Sequence, residues 1–290
     1  MSTPVRLCDC ETVSLLDDST TRRLEDPRQE DKEARSTSKR PDIDYPPQMT
    51  RPDLSVVFPV YNEEENLPIL LREIAAALDG KGWTYEIVAV DDGSADGSLA
   101  ALRGLREQYP TLRVLALEKN SGQTAALDAA WRGARGRFVV SLDADLQNDP
   151  ADIPGLMRKL EETASDMVIG VRVNRADTWS RKMQSRIGNG VRNWITGDQI
   201  TDTGCSLKLV RREAIDRVRL FTGMHRFLPT LVRYAGYKVV EMPVNHRARQ
   251  FGQSKYGAMN RAFRGLADCF AVRWMGKRML EYDVREEERS

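Results

Sequence analysis

From Leu54 onward the chain alternates short unbroken apolar runs with longer segments whose apolar residues recur every three or four positions. LSVVFPV, rich in β-branched residues and stopped by a polar turn, predicts a buried strand. So do YEIVAV from Tyr85, LRVLAL from Leu112, RFVVSLD ending at Asp143 and DMVIGV from Asp166. Between them Leu67, Leu70, Leu71, Ile74 and Leu78 keep helical spacing, and Leu99, Leu102 and Leu105 mark a second helix. An alanine-rich helix follows KNSG, and a fourth lies around Ile153 to Leu160. Asn62 with Glu65 is expected to form a capping box ahead of the first helix. Strand and helix in this alternation predict an α/β fold, a mostly parallel Rossmann-like sheet flanked by helices on both faces. No internal repeat is visible.

Both ends of the chain depart from this pattern. Residues 1–53 hold nine Lys or Arg against twelve Asp or Glu, with almost no periodic apolar residues. Such a segment buries too little surface to offset its ordering entropy and is expected to be a disordered tail. Residues 54–257 then make the globular domain, with a polar, basic stretch from Arg172 to Gln199, and residues 258–290 make a C-terminal amphipathic helix and an acidic tail. Residues 246–280 carry eight Lys or Arg against one acidic residue, Asp268. Met259, Phe263, Leu266, Phe270 and Trp274 repeat there at helical steps. A basic amphipathic helix of this kind either lies on an anionic membrane surface or packs on the protein body.

Composition narrows the function. Lys and Arg number 44 against 43 Asp and Glu, a net charge of +1, so the chain is not built to coat nucleic acid. No apolar run approaches the roughly 18 residues a membrane span needs, and the N-terminus has no apolar signal core. A cytoplasmic location is therefore expected. The four cysteines and two histidines are too scattered for a zinc framework, and Cys8, Cys10, Cys205 and Cys269 are read as free thiols. No G-x-G-x-x-G loop, P-loop or G-x-S-x-G elbow occurs, which argues against dehydrogenases, P-loop NTPases and serine hydrolases.

Polar residues collect where the predicted strands end, which is where open parallel sheets bind ligands. The first strand leads to Pro59, Tyr61, Asn62 and Glu63, the second to Asp91, Asp92 and Ser94, the fourth to Asp143, Asp145 and Gln147. Acidic strand ends in one crevice repel unless a cation or hydrogen-bond donors lie between them. Asp143-Ala-Asp145 can offer hard oxygens to one divalent ion, Mg2+ or Mn2+, which in turn holds a diphosphate. Asp91 or Asp92 can accept hydrogen bonds from a nucleobase or ribose.

In their order along the chain, PVYNEEEN, VDDGSADGS, KNSGQTAAL and VSLDADLQNDP resemble the family 2 glycosyltransferases of the GT-A fold. GVR at 170–172, SRKMQSR, DTGCSLKLVRRE and HRARQFGQSKYG extend the likeness to the polyprenyl-phosphate branch, which includes dolichyl-phosphate mannose synthase. The resemblance covers about residues 54–275. It implies that Pro59, Tyr61, Glu63 and Asp91, with Asp92 beside it, frame the nucleoside, that Asp143, Asp145 and Gln147 hold the metal and diphosphate, and that Arg172, Arg249 and Lys255 contact phosphates. The implied reaction is inverting transfer of a hexose from a GDP- or UDP-sugar to a polyprenyl phosphate on the cytoplasmic membrane face. A lipid monophosphate is largely ionised at neutral pH and needs no base to attack. Asp202, in TDTGC, is the residue otherwise nominated as base or orienting group, and His246 is given a structural role.

Members of that branch often continue into membrane spans, whereas this chain offers one basic amphipathic stretch. Peripheral attachment, with or without a separate membrane-protein partner, is the expectation. Competing readings are transfer to a saccharide hydroxyl in cell-envelope polysaccharide synthesis, which would make Asp202 a true base, and a catalytically silent nucleotide-sugar-binding partner. A nucleotidyltransferase is disfavoured by the lack of a glycine- and lysine-rich N-terminal loop.

Overall fold

The computed structural model of the chain describes residues 51–173, 179–248 and 259–279, with the backbone alone for 179–187 and 259–264. The expected tail lies outside the described residues apart from its last three. Asp53 among these is tied to the sheet by Thr84 and by Arg137 at 2.7 Å.

One sheet holds seven strands: β1 (Leu54–Val60), β2 (Tyr85–Asp91), β3 (Leu112–Ala116), β4 (Phe138–Ser141), β5 (Met167–Arg172), β6 (Lys208–Arg211) and β7 (Val239–Val244). Their order is β3-β2-β1-β4-β6-β5-β7, and all neighbours are parallel except the two pairs made by β6. The expected helices are α1 (Leu67–Leu78), α2 (Ser98–Gln108), α3 (Gln123–Gly133) and α4 (Ile153–Glu162). Because successive strand residues face opposite ways, Val56 and Phe58 of β1 join a core with Leu70, Leu71 and Ile74 of α1. Val57 points to the other layer and meets Ala126, Ala130 and Trp131 of α3. The protein is thus a three-layer α/β structure with a GT-A-like sheet.

Asn62 and Glu65 do not make the expected capping box. Helix α1 starts at Leu67 behind Asn66, which makes no side-chain cap. Asn62 instead takes a left-handed conformation, φ 56°, and its Oδ1 accepts the Ala95 N–H at 2.7 Å. A short polar side chain is among the few that tolerate this conformation, so Asn62 serves the turn rather than the helix.

The remaining helices are α5 (Trp179–Thr196), α6 (Arg212–Asp216), α7 (Leu228–Tyr234) and α8 (Met259–Gly276). The polar stretch 172–199 announces no helix, yet α5 occupies most of it. One of its inward positions is Arg192, buried and hydrogen-bonded to the Ile200 carbonyl and to Thr203, which hides the helical period. Ile195 of α5, Phe227 and Leu231 near α7, and Cys269 and Val272 of α8 form a third apolar cluster. Helix α8 therefore packs on the body, while Leu266, Phe270 and Trp274 of its predicted stripe stay exposed. Met259 and Phe263 belong to the segment described by backbone alone.

Candidate active site

Sheet order alone brings the acidic motifs together, because β1 lies between β2 and β4 and all three run the same way. Pro59, the penultimate residue of β1, and Tyr61 and Glu63 just past it are all partly exposed. The Glu63 carboxylate accepts from Asn66 Nδ2 at 2.5 Å.

At the end of β2 the two aspartates, both buried, do different work. Asp92 takes Ser121 N–H at 2.7 Å on one oxygen and Gly122 N–H at 2.9 Å on the other, with Asn120 Nδ2 at 3.2 Å. Both of its oxygens thus hold the turn that opens α3. Gly93 completes that turn at φ 67°, where a Cβ would lie 2.6 Å from the Asn120 nitrogen. Asp91 is the reverse case. Its Oδ2 accepts Ser94 N–H at 3.2 Å, while Oδ1 is buried and meets no hydrogen-bond donor among the described residues. A buried acceptor in that state costs about 1–3 kcal/mol, so Asp91 is the member of the pair suited to a ligand donor.

Past β4, Asp143 is half-buried and Asp145 buried. Burial and the neighbouring Asp145 charge push the Asp143 carboxyl above the usual carboxylate range, against the pull of Ser206, Lys208 and Gln123. A divalent cation between such carboxylates relieves the strain on both, so these residues fit Mg2+ or Mn2+. No cluster of three or more Asp, Glu, His or Cys capable of holding a metal occurs among the described residues. The protein's share of such an ion's shell would be completed by Gln147 and by diphosphate oxygens. Gln123, the first residue of α3, donates to Asp143 Oδ1 at 3.0 Å. Sequence reasoning passed over it, though its place in KNSGQ, directly after Gly122, is a legible signal.

Arg172 and Asp202 meet as a buried fork. Asp202 Oδ2 lies 2.7 Å from Arg172 Nε and Oδ1 lies 2.8 Å from NH2, and Asp202 also accepts the backbone N–H groups of Arg172 and Gly204. A Cβ on Gly204 would sit 2.7 Å from Arg172 NH2, so the loop needs glycine there to admit the guanidinium. Both Asp202 oxygens thus accept from Arg172, an arrangement that orients the guanidinium. Beneath it Lys208, fully enclosed, donates to the Cys205 carbonyl. Burial pushes its ammonium down from the usual range, opposed by Cys205, Asp143 and Asp202. Lys208 escapes sequence reasoning because a lysine within a strand reads as a solvent-facing position. His246, which was given a structural role, is bridged by its backbone to Asn148. Arg249 and Lys255 lie outside the described residues.

The profile of "Glycosyl transferase family 2" matches residues 55–219. A dodecaprenyl-phosphate galacturonate synthase of Rhizobium johnstonii is 41% identical over 76% of this chain and 66% of its own. An undecaprenyl-phosphate 4-deoxy-4-formamido-L-arabinose transferase of an Enterobacter species is 43% identical over 71% of this chain and 63% of its own. The chain thus spans just under two thirds of the length of these relatives. Among solved structures, a Pyrobaculum calidifontis mannosyltransferase in complex with GDP-Man and Mn2+ superposes with a TM-score of 0.54 at 19% identity, covering 84% of this chain and 79% of that one. A glucosyl-3-phosphoglycerate synthase of Mycobacterium tuberculosis, in complex with Mn2+, UDP and phosphoglyceric acid, gives 0.59 at 16% identity, over 79% and 80% of the two chains. Both carry the same fold.

Proposed function

Since the chain belongs to glycosyl transferase family 2, we propose that it moves a sugar from a nucleoside diphosphate to the phosphate of a polyprenyl lipid. The carrying observation is that β4 and β5 run the same way, so that Asp143 and Asp145 past β4 and the Arg172 fork at the end of β5 stand at one edge of the sheet. The names of the curated relatives, which act on dodecaprenyl and undecaprenyl phosphates, favour the same acceptor class. Testing uses a panel of GDP- and UDP-linked sugars, hexoses, a uronic acid and an aminopentose among them, with a short polyprenyl phosphate. Lipid-linked sugar in the product mass spectrum is expected from one donor. Donor hydrolysis without it, across the panel, contradicts the proposal.

In this reading Asp91 Oδ1 accepts a hydrogen bond from the nucleoside, and Asp143, Asp145 and Gln147 hold Mg2+ or Mn2+. When bound, the ion neutralises charge growing on the departing nucleoside diphosphate. Arg172, aimed by Asp202, presents its remaining N–H groups to phosphate, and Arg249 and Lys255 are proposed to join it. An oxygen of the lipid phosphate forms a bond to the anomeric carbon as the bond to the diphosphate breaks on the opposite face, inverting the centre. The acceptor brings its own negative charge, so no side chain has to remove a proton.

Asp202→Asn tests this last point. Asparagine keeps the shape and one acceptor for Arg172, so kcat is expected to fall less than about tenfold, with a rise in KM for the lipid. Loss of a general base costs about 10²–10⁴-fold. A kcat loss in that range, with donor binding intact, contradicts the base-free mechanism.

We also propose attachment to the cytoplasmic membrane face through the exposed side of α8. No helix among the described residues is long and apolar enough to cross a membrane. Phe270 is 57% and Trp274 62% exposed, and Trp194 of α5, which touches α8 through the Arg273 contact to the Ile195 carbonyl, is 82% exposed. Arg278 stacks over Trp274 at 5.6 Å, placing a cation beside an aromatic ring as at a bilayer interface. Burying such side chains contributes about 1.5–3 kcal/mol each. Phe270→Asp with Trp274→Asp should weaken co-sedimentation with anionic liposomes at least about tenfold, and salt should weaken wild type. Wild type that never pellets overturns the attachment.

A further inference from the structure

The turn that carries the metal residues is strained. Leu146, buried and not a glycine, sits at φ 61° between Asp145 and Gln147. A bulky side chain there persists only where its surroundings over-determine the backbone. On its inner side Asn148 does part of this, accepting the Ser206 hydroxyl at 2.6 Å. Beside the backbone bridge of His246 to Asn148, a residue that belongs to neither the nucleotide nor the phosphate set also holds the turn, Arg247.

Just beyond β7, the Arg247 backbone N–H donates to the Gln147 carbonyl at 2.9 Å. Its guanidinium NH2 pairs with Asp149 Oδ1 at 2.6 Å, and NH1 reaches both oxygens of Glu73 on α1 at 2.8 Å. Asn245 adds bonds to Asp152, so the segment lies along the outside of the turn. Arg247 thus joins three parts distant in sequence: α1, the turn 145–149 and the end of β7.

We infer that Arg247, clamped by Glu73 and Asp149, is a positioning residue that holds the strained Asp145–Gln147 turn in the conformation that binds the divalent ion. The inference rests on the proposed metal site, but the clamp has a consequence that needs no metal. Glu73 presents both oxygens to NH1 and Asp149 one to NH2, so two fixed nitrogens bridge helix and turn, a geometry a lysine ammonium does not reproduce. Supporting residues behind metal ligands are typically worth about 10–100-fold in metal affinity.

The experiment compares wild type, Arg247→Ala, Arg247→Lys and Glu73→Ala in the full chain. Glu73 lies on α1, so its loss tests the clamp without touching the turn and stands in if Arg247→Ala fails to fold. Amide hydrogen exchange without metal should rise at residues 144–149 in Arg247→Ala and Glu73→Ala and stay unchanged in β1 and β2. Mn2+ affinity, read by electron paramagnetic resonance, should fall about tenfold or more in Arg247→Ala, less in Glu73→Ala, with partial recovery in Arg247→Lys. Faster exchange at the turn in a protein that binds no Mn2+ supports the clamp and removes the metal reading. Unchanged exchange and unchanged Mn2+ affinity in well-folded variants overturn the clamp.

Discussion

Asp145→Ala is expected to lower kcat at least about a thousandfold while leaving the melting temperature close to wild type. The two halves have one cause. Asp145 is buried beside Asp143 and raises its neighbour's proton affinity, so the native structure carries like-charge repulsion there. Removing one carboxylate relieves that repulsion and gives up the contact with the Gln147 N–H at 3.2 Å, so the two effects on stability oppose each other, but it takes away an oxygen that would hold the ion against the diphosphate. Steady-state kinetics with a thermal melt reads both. Full activity of the variant, or of wild type in excess EDTA, contradicts the metal role. A large fall in melting temperature would mean that Asp145 is structural.

Arg172→Ala should be damaging in the opposite proportion, to stability as well as turnover. It strips the guanidinium from a buried Asp202 whose two oxygens lie 2.7 and 2.8 Å from it. Removing one partner of such a pair costs about 3–5 kcal/mol. For a domain of this size that is a fall of roughly 6–20 °C in melting temperature. Adding Asp202→Asn should restore part of the stability, because the stranded charge is gone, without restoring activity, because the guanidinium proposed to meet phosphate is still missing. A thermodynamic cycle over the four proteins separates these contributions. Equal stability of the single and double variants would show that the pair is not the buried unit described here.

The parallel half of the fold was legible because its strands are buried on both faces and read as unbroken apolar runs, and because α1 to α4 keep a clean period. What escaped did so where polar residues face inward. Arg192 interrupts the period of α5, and Lys208 makes the four residues of β6 read as surface. Site residues followed the same division. Asp143, Asp145 and Asp91 stand at strand ends, where topology gives them away. Asp91 and Asp92 were indistinguishable in sequence, since only the path of the 120–122 turn decides which carboxylate is spent on the backbone. Gln123, Gly204 and Arg247 act through groups brought together by folding over long separations, the longest being 174 residues between Arg247 and Glu73. For α8 the alternatives were a membrane surface and packing on the body; the helix packs through Cys269 and Val272 and leaves Leu266, Phe270 and Trp274 exposed.

The central claim is that the sugar passes to a phosphate oxygen of a lipid rather than to a hydroxyl or as a sugar phosphate. Its most direct measurement is the phosphorus NMR spectrum of the product formed from a short polyprenyl phosphate and the accepted donor. Conversion of the lipid's single phosphorus from a monoester to a diester, with an inverted anomeric centre and release of one nucleoside diphosphate, is the predicted result. A lipid diphosphate, or a lipid monoester left unchanged while the sugar appears on a saccharide hydroxyl, would contradict it.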